Sequence, residues 1–359
     1  MIKINQVKAQ LSLDKWKSVG EEGRNSEVWT ARDTQLDQVM ILKKITKQSL
    51  EVQQVEDFFS EAKILNESKH PHIMPLYYSA QDDDNIYITM PYYSNGSINS
   101  LIDKRYLTVR EIIKYSLDFL SGLLFIHING LLHLDIKPTN VIINDSNRAI
   151  LTDFGLSKHL NEMGLAEQQM QYRPHLSPEG YDSMDRTVLD DIYQAGLTIY
   201  RMCNGNNSFK SQLQLLRTKY QGDPDKLISN IQRGKFPDRK DYLPHIPEKL
   251  RKVVNKMLHP DPSKRYQNVL AAINQLSAID NLFDWEYFFD TAKGVHTWKL
   301  DSDLSIIKFS IHKNNHVFLT RGIKCVKKSG REQNISKANS SHDTFEKSMA
   351  FIESLLTKY

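Results

Sequence analysis

The spacing of hydrophobic residues is mostly strand-like up to about residue 97, helical from there to about residue 280, and strand-like again afterwards. These two changes limit the folds that the chain can adopt more than any other feature of the sequence. Residues 13–45 alternate short apolar runs with turn residues in "DKWKSVG", "SEVWTARD" and "QVMILKKIT", which predicts three β-strands. Residues 52–66 have helical spacing, and "HPHIMPLYYSA" and "NIYITMPYY" then return to strand. From about residue 97 to residue 280 the helical period dominates. Long helices are predicted in "REIIKYSLDFLSGLLFIHING" and "DDIYQAGLTIYRMCNG", each ending at a glycine. A β-rich part followed by a helical part predicts two lobes.

The strand pattern returns after about residue 280. "VHTWKLD", "LSIIKFSIHK" and "HVFLTRGIKCVKK" alternate like strands. "SHDTFEKSMAFIESLLTKY" predicts a closing amphipathic helix with Phe345, Met349, Ile352 and Leu356 on one face. The polar segment "KKSGREQNISKANSS" before that helix predicts a mobile loop. We therefore predict a small α+β domain over residues 281–359.

Composition places the chain among ordinary globular proteins. It is 40% hydrophobic and 25% charged, so it can bury a sizeable core, and a net charge of +4 does not by itself indicate a nucleic-acid or membrane protein. Cys203 and Cys325 stand in no metal-ligand spacing and fit a reducing compartment, although the two thiols could pair. The N-terminus has no apolar core of signal-peptide length, and the most apolar region, "LDFLSGLLFIHINGLLHLDI", carries Asp and His and never runs ~18 residues without them. We therefore expect a cytoplasmic protein that does not span a membrane.

The stretch "LLHLDIKPTN", residues 131–140, resembles the catalytic loop of eukaryotic-type protein kinases. Three other elements resemble that family in the same order along the chain: "VMILKKI", "LTDFGLS" and "LSPEGYD". The resemblance covers about residues 13–280. It implies an α+β, bilobal protein-kinase fold with a β-rich N-lobe at residues 13–93 and a helical C-lobe at residues 94–280. It also implies an ATP- and Mg²⁺-dependent enzyme that phosphorylates protein substrates.

Four polar residues of the C-lobe would carry the chemistry that this resemblance implies. Asp135 would orient the acceptor hydroxyl and accept its proton, and Lys137 would offset charge that develops near the γ-phosphate. A lysine two residues after the catalytic aspartate, as at Lys137, resembles the serine/threonine class of protein kinases, so we expect a serine or threonine acceptor. Asn140 and Asp153 would hold Mg²⁺, a hard cation that prefers oxygen ligands.

In the N-lobe, the resemblance implies that Lys43 contacts the α- and β-phosphates and is held by Glu61. Lys44 is the rival for this role. We prefer Lys43 because Ile45 follows at the family's spacing and because Lys43 shares a strand face with Ile41. The resemblance places the other nucleotide contacts at Gly20, Gly23, Val28, Ile41, Met90, Tyr92, Tyr93 and Ile142.

Two structural pairings are also implied. Glu179 of "LSPEGYD" would pair with Arg265, and Asp191 would accept backbone hydrogen bonds from the catalytic loop. Loss of one partner of such a buried pair costs ~3–5 kcal/mol, because the other charge is left unpaired.

The phosphate-binding loop departs from the family. Counted back from Val28, the pattern expects glycine at positions 21, 23 and 26, but only Gly23 fits, and Glu21 and Ser26 occupy the other two places. We expect a loop that covers ATP through backbone amides but closes less tightly. Ile41 stands where the family carries a small alanine, so the adenine pocket should be narrower.

Leu134 replaces the arginine of the His-Arg-Asp motif. In many kinases that arginine binds a phosphate on the activation loop and couples phosphorylation to ordering. Leucine cannot bind a phosphate, so we expect activity that does not depend on activation-loop phosphorylation. Tyr172 occupies the place of a threonine that commonly contacts Asp135 and Lys137, which leaves the substrate preference open.

A second hypothesis is a pseudokinase, a nucleotide-sensing scaffold without catalysis. Its support is the incomplete glycine loop together with Ile41 and Leu134. Five intact polar residues stand against it: Lys43, Glu61, Asp135, Asn140 and Asp153.

The C-terminal domain is basic between residues 304 and 331, which include no acidic residue. Its seven cationic residues are Lys308, Lys313, Arg321, Lys324, Lys327, Lys328 and Arg331. They could form a sheet face for nucleic acid or another polyanion, but we favour a domain that docks a partner or self-associates. With a first helix at residues 281–290, the domain would also resemble the outline of double-stranded-RNA-binding domains, although it lacks their sequence signature.

Overall fold

The computed structural model describes residues 12–18, 26–49, 69–154, 157–161, 163–167, 175–220 and 223–359. The predicted helix at residues 52–66 lies outside these ranges, as do Gly20, Gly23, Glu61 and Tyr172. The chain divides into two compact units, Met1–Asn95 and Gly96–Tyr359.

The described part of the first unit is built on a five-stranded antiparallel sheet with the order β1-β2-β3-β5-β4. Its strands are Leu13–Ser18 (β1), Ser26–Asp33 (β2), Gln38–Thr46 (β3), Tyr78–Gln81 (β4) and Asn85–Pro91 (β5). The first three strands confirm the prediction from the alternating runs. The strand predicted over "HPHIMPLYYSA" is wrong for its first eight residues, 70–77. Pro71 and Pro75 have no N–H for a strand ladder, and the strand begins only at Tyr78.

The second unit begins with the helical part. Its helices are Ile98–Lys104 (α1), Val109–Ile128 (α2), Val188–Lys219 (α3), Pro224–Gln232 (α4), Glu248–Met257 (α5) and Val269–Ser277 (α6). The described residues between α2 and α3 form six short strands: Leu131–Leu132 (β6), Val141–Ile143 (β7), Ala149–Leu151 (β8), Lys158–His159 (β9), Ala166–Glu167 (β10) and Asp185–Arg186 (β11). They pair as β6 with β9, β7 with β8, and β10 with β11.

Gly205 divides helix α3 into two helical segments. Its φ of +77° is outside the helical range, and a Cβ here would lie 2.9 Å from the Tyr106 ring. The position therefore needs glycine both for its backbone angle and for the close approach of Tyr106. The predicted helix end at Gly205 is confirmed, and a second helical segment follows directly and continues to Lys219.

The C-terminal domain is a six-stranded antiparallel sheet and one helix. The strands are Trp285–Asp290 (β12), Val295–Asp301 (β13), Ser305–Asn314 (β14), Val317–Val326 (β15), Arg331–Asn334 (β16) and Ser340–His342 (β17). They follow the order β12-β13-β14-β15-β16, and β17 also pairs with β15. Helix α7, Phe345–Leu356, packs on the sheet face that carries Trp298 and Phe309.

Two predictions for this domain are wrong. The segment predicted as a first helix at residues 281–290 contains strand β12, in which Trp285 and Tyr287 are buried and Glu286 between them is not. That alternation is a strand period, so the double-stranded-RNA-binding outline does not hold. The polar segment predicted as a mobile loop contains β16 and β17.

Within the second unit, the C-terminal domain contacts the helical part. Arg110 of α2 binds both carboxylate oxygens of Asp284, with Nε–Oδ1 at 2.6 Å and Nη2–Oδ2 at 2.8 Å. The Tyr106 and Tyr287 rings pack with centroids 4.9 Å apart. The β12 end of the domain is thus joined to the α1–α2 connection by a charge pair and an aromatic contact.

These elements confirm the predicted fold class: a β-rich part, a helical part and a small α+β C-terminal domain. Among the described residues, the helices are too short or too polar to cross a bilayer.

Candidate active site

Helix α3 holds the backbone of the predicted catalytic loop through Asp191. This fully buried carboxylate accepts the N–H of His133 at 2.9 Å and of Leu134 at 2.7 Å. The prediction for Asp191 is therefore confirmed. Leu134 has a φ of +62°, a left-handed conformation that costs a non-glycine residue ~1–2 kcal/mol. The bonds to Asp191 offset that cost and fix the turn before Asp135.

Two further residues of α3 extend this support, and neither was predicted from the sequence. Gln194 accepts the N–H of Ile136 at 2.9 Å and donates to the carbonyl of Leu134 at 3.0 Å. Thr198 donates to the Ile136 carbonyl at 3.4 Å. Positions 191, 194 and 198 share one helix face. The spacing of these polar residues along the helix was the signal in the sequence from which Gln194 and Thr198 could have been predicted.

His133 ties the loop to the segment before Asp153. Its Nδ1 accepts the N–H of Asp135 at 3.2 Å, so Nε2 carries the proton that it donates to the Thr152 carbonyl at 3.1 Å. Burial lowers the pKa of His133, which keeps the ring neutral in this arrangement. Its ring also packs on Phe154, with centroids 4.9 Å apart.

The structure brings Asp135, Lys137 and Asn140 together. Lys137 Nζ lies 3.0 Å from Asp135 Oδ2. Asn140 Nδ2 donates to the same Oδ2 at 2.8 Å and to the Asp135 carbonyl at 2.9 Å. All three side chains are buried, so a carboxylate, an ammonium group and an amide converge where water is largely excluded.

The electrostatics of this cluster suit a proton acceptor at Asp135. Burial raises the pKa of Asp135, the ammonium group of Lys137 opposes the rise, and the carboxylate of Asp153 adds to it. A carboxylate whose pKa is raised toward neutrality is a better general base than an ordinary surface aspartate.

Asn140 and Asp153 fit a magnesium site by their donor atoms. The Nδ2 of Asn140 donates its hydrogen bonds to Asp135, so the amide oxygen Oδ1 is the atom that could bind Mg²⁺. Asp153 has a φ of +65°. In the described ranges, no three His, Cys, Asp or Glu side chains converge as an all-protein metal cage would need. A Mg²⁺ ion here would take its remaining ligands from water or phosphate oxygens, as Mg²⁺ commonly does.

The Leu134 side chain lies in an apolar cluster, not in a cationic pocket. It is fully buried with Leu132 and Ala166, and Leu160 and Val188 pack against them. Leu160 and Ala166 belong to the segment between Asp153 and Glu179, where the family carries its activation loop. Leu134 therefore contacts that segment through apolar packing.

In the first unit, four predicted nucleotide contacts share one face of the sheet. Val28 lies opposite Lys43, and Ile41 lies opposite Met90 in the antiparallel register. Residues 41 and 43 are two apart on β3, so all four side chains point to the same side. The rival Lys44 points to the other side, where its Nζ lies 3.6 Å from Glu27.

The remaining predicted contacts are placed as follows. Tyr92, with 43% of its surface exposed, and Tyr93 follow β5, and Ile142 lies in β7 opposite Ile150. Met90 packs partly against the core of Ile45, Ile86 and Ile88.

The predicted Glu179–Arg265 pair is confirmed. The Arg265 guanidinium binds both carboxylate oxygens of Glu179, at 2.6 and 2.7 Å, and also donates to the Leu189 carbonyl. Arg265 is buried, so this bidentate pair anchors the segment before α3.

The basic residues of the C-terminal domain do not share one face. Lys308 and Arg321 have the register of the outer face, away from α7, whereas Lys313 and Lys324 have the register of Phe309. Lys327 lies in a turn and pairs with Asp301 at 2.7 Å.

Comparison with known proteins gives a consistent picture. The family model described as protein kinase domain matches residues 13–277. The chain is 25% identical over 344 residues to the serine/threonine-protein kinase PknD of Protochlamydia amoebophila, covering 85% of this chain and 33% of that protein. It is 26% identical over 276 residues to the probable serine/threonine-protein kinase PknB of Lactococcus lactis, covering 75% and 42%.

A eukaryotic relative is similar over a shorter stretch. The chain is 28% identical over 232 residues to the serine/threonine-protein kinase ULK3 of Xenopus laevis, covering 64% of this chain and 47% of that protein. The chain thus spans between a third and a half of the length of these three relatives.

Proposed function

This chain belongs to the protein kinase family, and on that basis we propose that it transfers the γ-phosphoryl group of ATP to serine or threonine hydroxyl groups of protein substrates. The observation that carries the proposal is the buried cluster of Asp135, Lys137 and Asn140. The names of the relatives support the serine/threonine class.

In this proposal Asp135 holds the acceptor hydroxyl and takes its proton, because its carboxylate is buried and its pKa is raised. Lys137, paired with Asp135, offsets the charge that develops on the transferring group. Asn140 and Asp153 hold Mg²⁺, which supplies charge neutralisation at the phosphate oxygens when it is bound.

The residues of the first unit are proposed to bind ATP. Val28, Ile41 and Met90 would contact the adenine with their apolar side chains, and Lys43 would contact the phosphates. The burial of Lys43, and the pairing of Lys44 with Glu27, support Lys43 for this role. The other proposed members of the set in this unit are Gly20, Gly23, Glu61, Tyr92 and Tyr93, and Ile142 of β7 is the proposed member from the second unit.

We further propose that transfer does not require a phosphate on the activation segment. Leu134 packs against Leu160 and Ala166 of that segment, and apolar packing needs no phosphate to form. A phosphorylated residue would find no guanidinium at position 134.

For residues 281–359 we propose a docking role, not binding of a polyanion. The domain already contacts a neighbouring element, because its Asp284 pairs with Arg110 of α2. Of the seven cationic residues between 304 and 331, only Lys308 and Arg321 lie on strands β14 and β15 with side chains on the outer face of the sheet, so they form no continuous basic surface. Retention of the full chain on a nucleic-acid column that falls steeply with salt would contradict this.

The experiment that tests the function is transfer of label from γ-labelled ATP to a generic acceptor protein. We expect label on serine and threonine with the wild type and loss of label with Asp135→Asn, which keeps the shape but cannot accept the proton. Asp145→Asn, at an exposed aspartate in the turn after β7, is the matched control and should keep wild-type activity. ATP binding without transfer by the wild type would favour the nucleotide-sensing scaffold instead.

A further inference from the structure

A buried histidine outside the predicted catalytic set joins the activation segment to the catalytic loop. His175, four residues before Glu179, is 1% exposed. Its Nδ1 lies 3.1 Å from the carbonyl oxygen of Ile136, and its Nε2 lies 2.9 Å from Nη1 of Arg201. A carbonyl can only accept and a guanidinium can only donate. His175 must therefore be neutral, with its proton on Nδ1.

Arg201 is itself fixed, so it holds the ring of His175 in place. Its Nε and Nη2 donate to Asn206 Oδ1 at 2.9 and 2.7 Å, and Nη2 also donates to Asn99 Oδ1 of α1 at 3.0 Å. Asn206 follows the Gly205 break in α3, which ends the regular helical path at this point. Arg201 continues the polar face of α3 that includes Thr198.

The carbonyl that His175 binds belongs to the residue between Asp135 and Lys137. The only other hydrogen bond to it in the described residues is the longer one from Thr198, at 3.4 Å. The orientation of the peptide that links Ile136 to Lys137 therefore depends chiefly on His175. Rotation of that peptide would move the Lys137 side chain away from Asp135.

We propose that His175 is a positioning residue that fixes the Ile136–Lys137 peptide and thereby the Asp135–Lys137 geometry. The inference rests on the proposed phosphoryl transfer. A histidine retained only to fill space would be replaceable by phenylalanine, since its ring already packs at 5.7 Å from the Phe209 ring. Burial and the charge of Arg201 lower the pKa of His175, consistent with a neutral ring.

Three variants separate the two hydrogen bonds. In His175→Asn the amide nitrogen replaces Nδ1 and keeps the donor to Ile136. In His175→Gln the amide reaches the place of Nε2 and keeps only the contact to Arg201. His175→Phe keeps the ring and removes both bonds. We expect the single-turnover transfer rate to fall about tenfold or more in the Gln and Phe variants and about threefold or less in the Asn variant, with KM for ATP unchanged.

His245→Phe is the matched control. His245 is also fully buried, and its Nε2 lies 3.0 Å from the Leu107 carbonyl, away from the catalytic loop. Its replacement should lower thermal stability without changing the transfer rate. Equal rates in the wild type and a folded His175→Phe would overturn the inference, as would equal losses in the Asn and Phe variants.

A second readout does not depend on activity. In ¹⁵N spectra of histidine-labelled protein, the resonances of His175, identified by their loss in His175→Phe, should report a proton on Nδ1 and none on Nε2. A proton on Nε2 would overturn the inference even if the rates behaved as expected. A wild type without transfer would instead fail the proposed function, and the positioning role would fall with it.

Discussion

The catalytic loop and the C-terminal domain lie in the same unit but are held in different ways. In the loop, backbone groups of His133, Leu134 and Ile136 are bound by polar side chains from one helix, α3. In the C-terminal domain, the buried side chains are mostly apolar, with Trp298 and Phe309 at the centre. The conformation of the catalytic loop therefore depends on particular hydrogen-bond donor and acceptor atoms, whereas the stability of the C-terminal domain depends on how much apolar volume fills its core. A substitution that keeps the shape of a side chain but changes its polar atoms should therefore have a large effect in the loop and a small effect in the C-terminal domain.

The largest effect is expected from Asp191→Asn. The replacement keeps the shape but turns one acceptor into a donor, which then faces the N–H of His133 or Leu134. We expect a loss of ~3–5 kcal/mol in the free energy of unfolding and no detectable transfer. Urea unfolding with a label-transfer assay measures both. A stability loss no larger than that of an exposed aspartate such as Asp145 would remove the claim that α3 holds the loop.

The next effect is expected from Leu134→Arg, which places the family's arginine in the apolar cluster of Leu132 and Ala166. Burying the guanidinium there should cost about 2 kcal/mol or more, because the cluster offers it apolar side chains as neighbours. Leu134→Met is the control of similar volume and should cost less than ~1.5 kcal/mol. Equal stability of the Arg and Met variants, measured by urea unfolding, would show that the arginine side chain escapes the cluster.

A shift in the pH profile is expected from Lys137→Met. Lys137 opposes the rise of the Asp135 pKa, so removal of its charge should raise that pKa further. A base loses activity as the pH falls through its pKa, so the acidic limb of kcat/KM should move to higher pH. Lys308→Met, at an exposed lysine of β14, should leave the acidic limb in place. A limb that stays or moves to lower pH in Lys137→Met would contradict the assignment of Asp135 as the base.

The smallest effect is expected from Trp298→Phe in the C-terminal domain. The substitution loses apolar area, but Trp298 Nε1 is buried without a hydrogen-bond partner among the described residues, and its removal offsets part of the loss. We expect a stability change of about 1 kcal/mol and unchanged transfer. Calorimetry with the label-transfer assay measures both. A loss as large as that of Asp191→Asn would erase the distinction between the two regions.

The same contrast explains what the sequence could predict. The Asp191 contacts and the Glu179–Arg265 pair were predicted because the resemblance to the protein kinase family implies both, at residues that match the motifs of the family. Gln194 and His175 were missed because their roles depend on which carbonyl lies beside them, and that is a property of the folded backbone. Their residue types occur in many other settings.

The errors in the C-terminal domain have a different cause. Strand β12 carries aromatic residues at exposed as well as buried positions, including Phe288 and Phe289, so its period is blurred. All four residues of β16 are exposed, so this edge strand shows no hydrophobic alternation and resembles a polar loop in sequence. Backbone pairing with β15, which leaves no trace in side-chain pattern, makes it a strand.

The central claim is that the loop of Asp135, Lys137 and Asn140 transfers phosphate and that Leu134 frees it from control by an activation-segment phosphate. The most direct test is the initial rate of label transfer by the wild type before and after complete dephosphorylation, with Asp135→Asn as the background. The account predicts equal rates before and after, with label on serine or threonine, and none with the variant. A rate that falls on dephosphorylation and returns on rephosphorylation, or label that persists with Asp135→Asn, would contradict it.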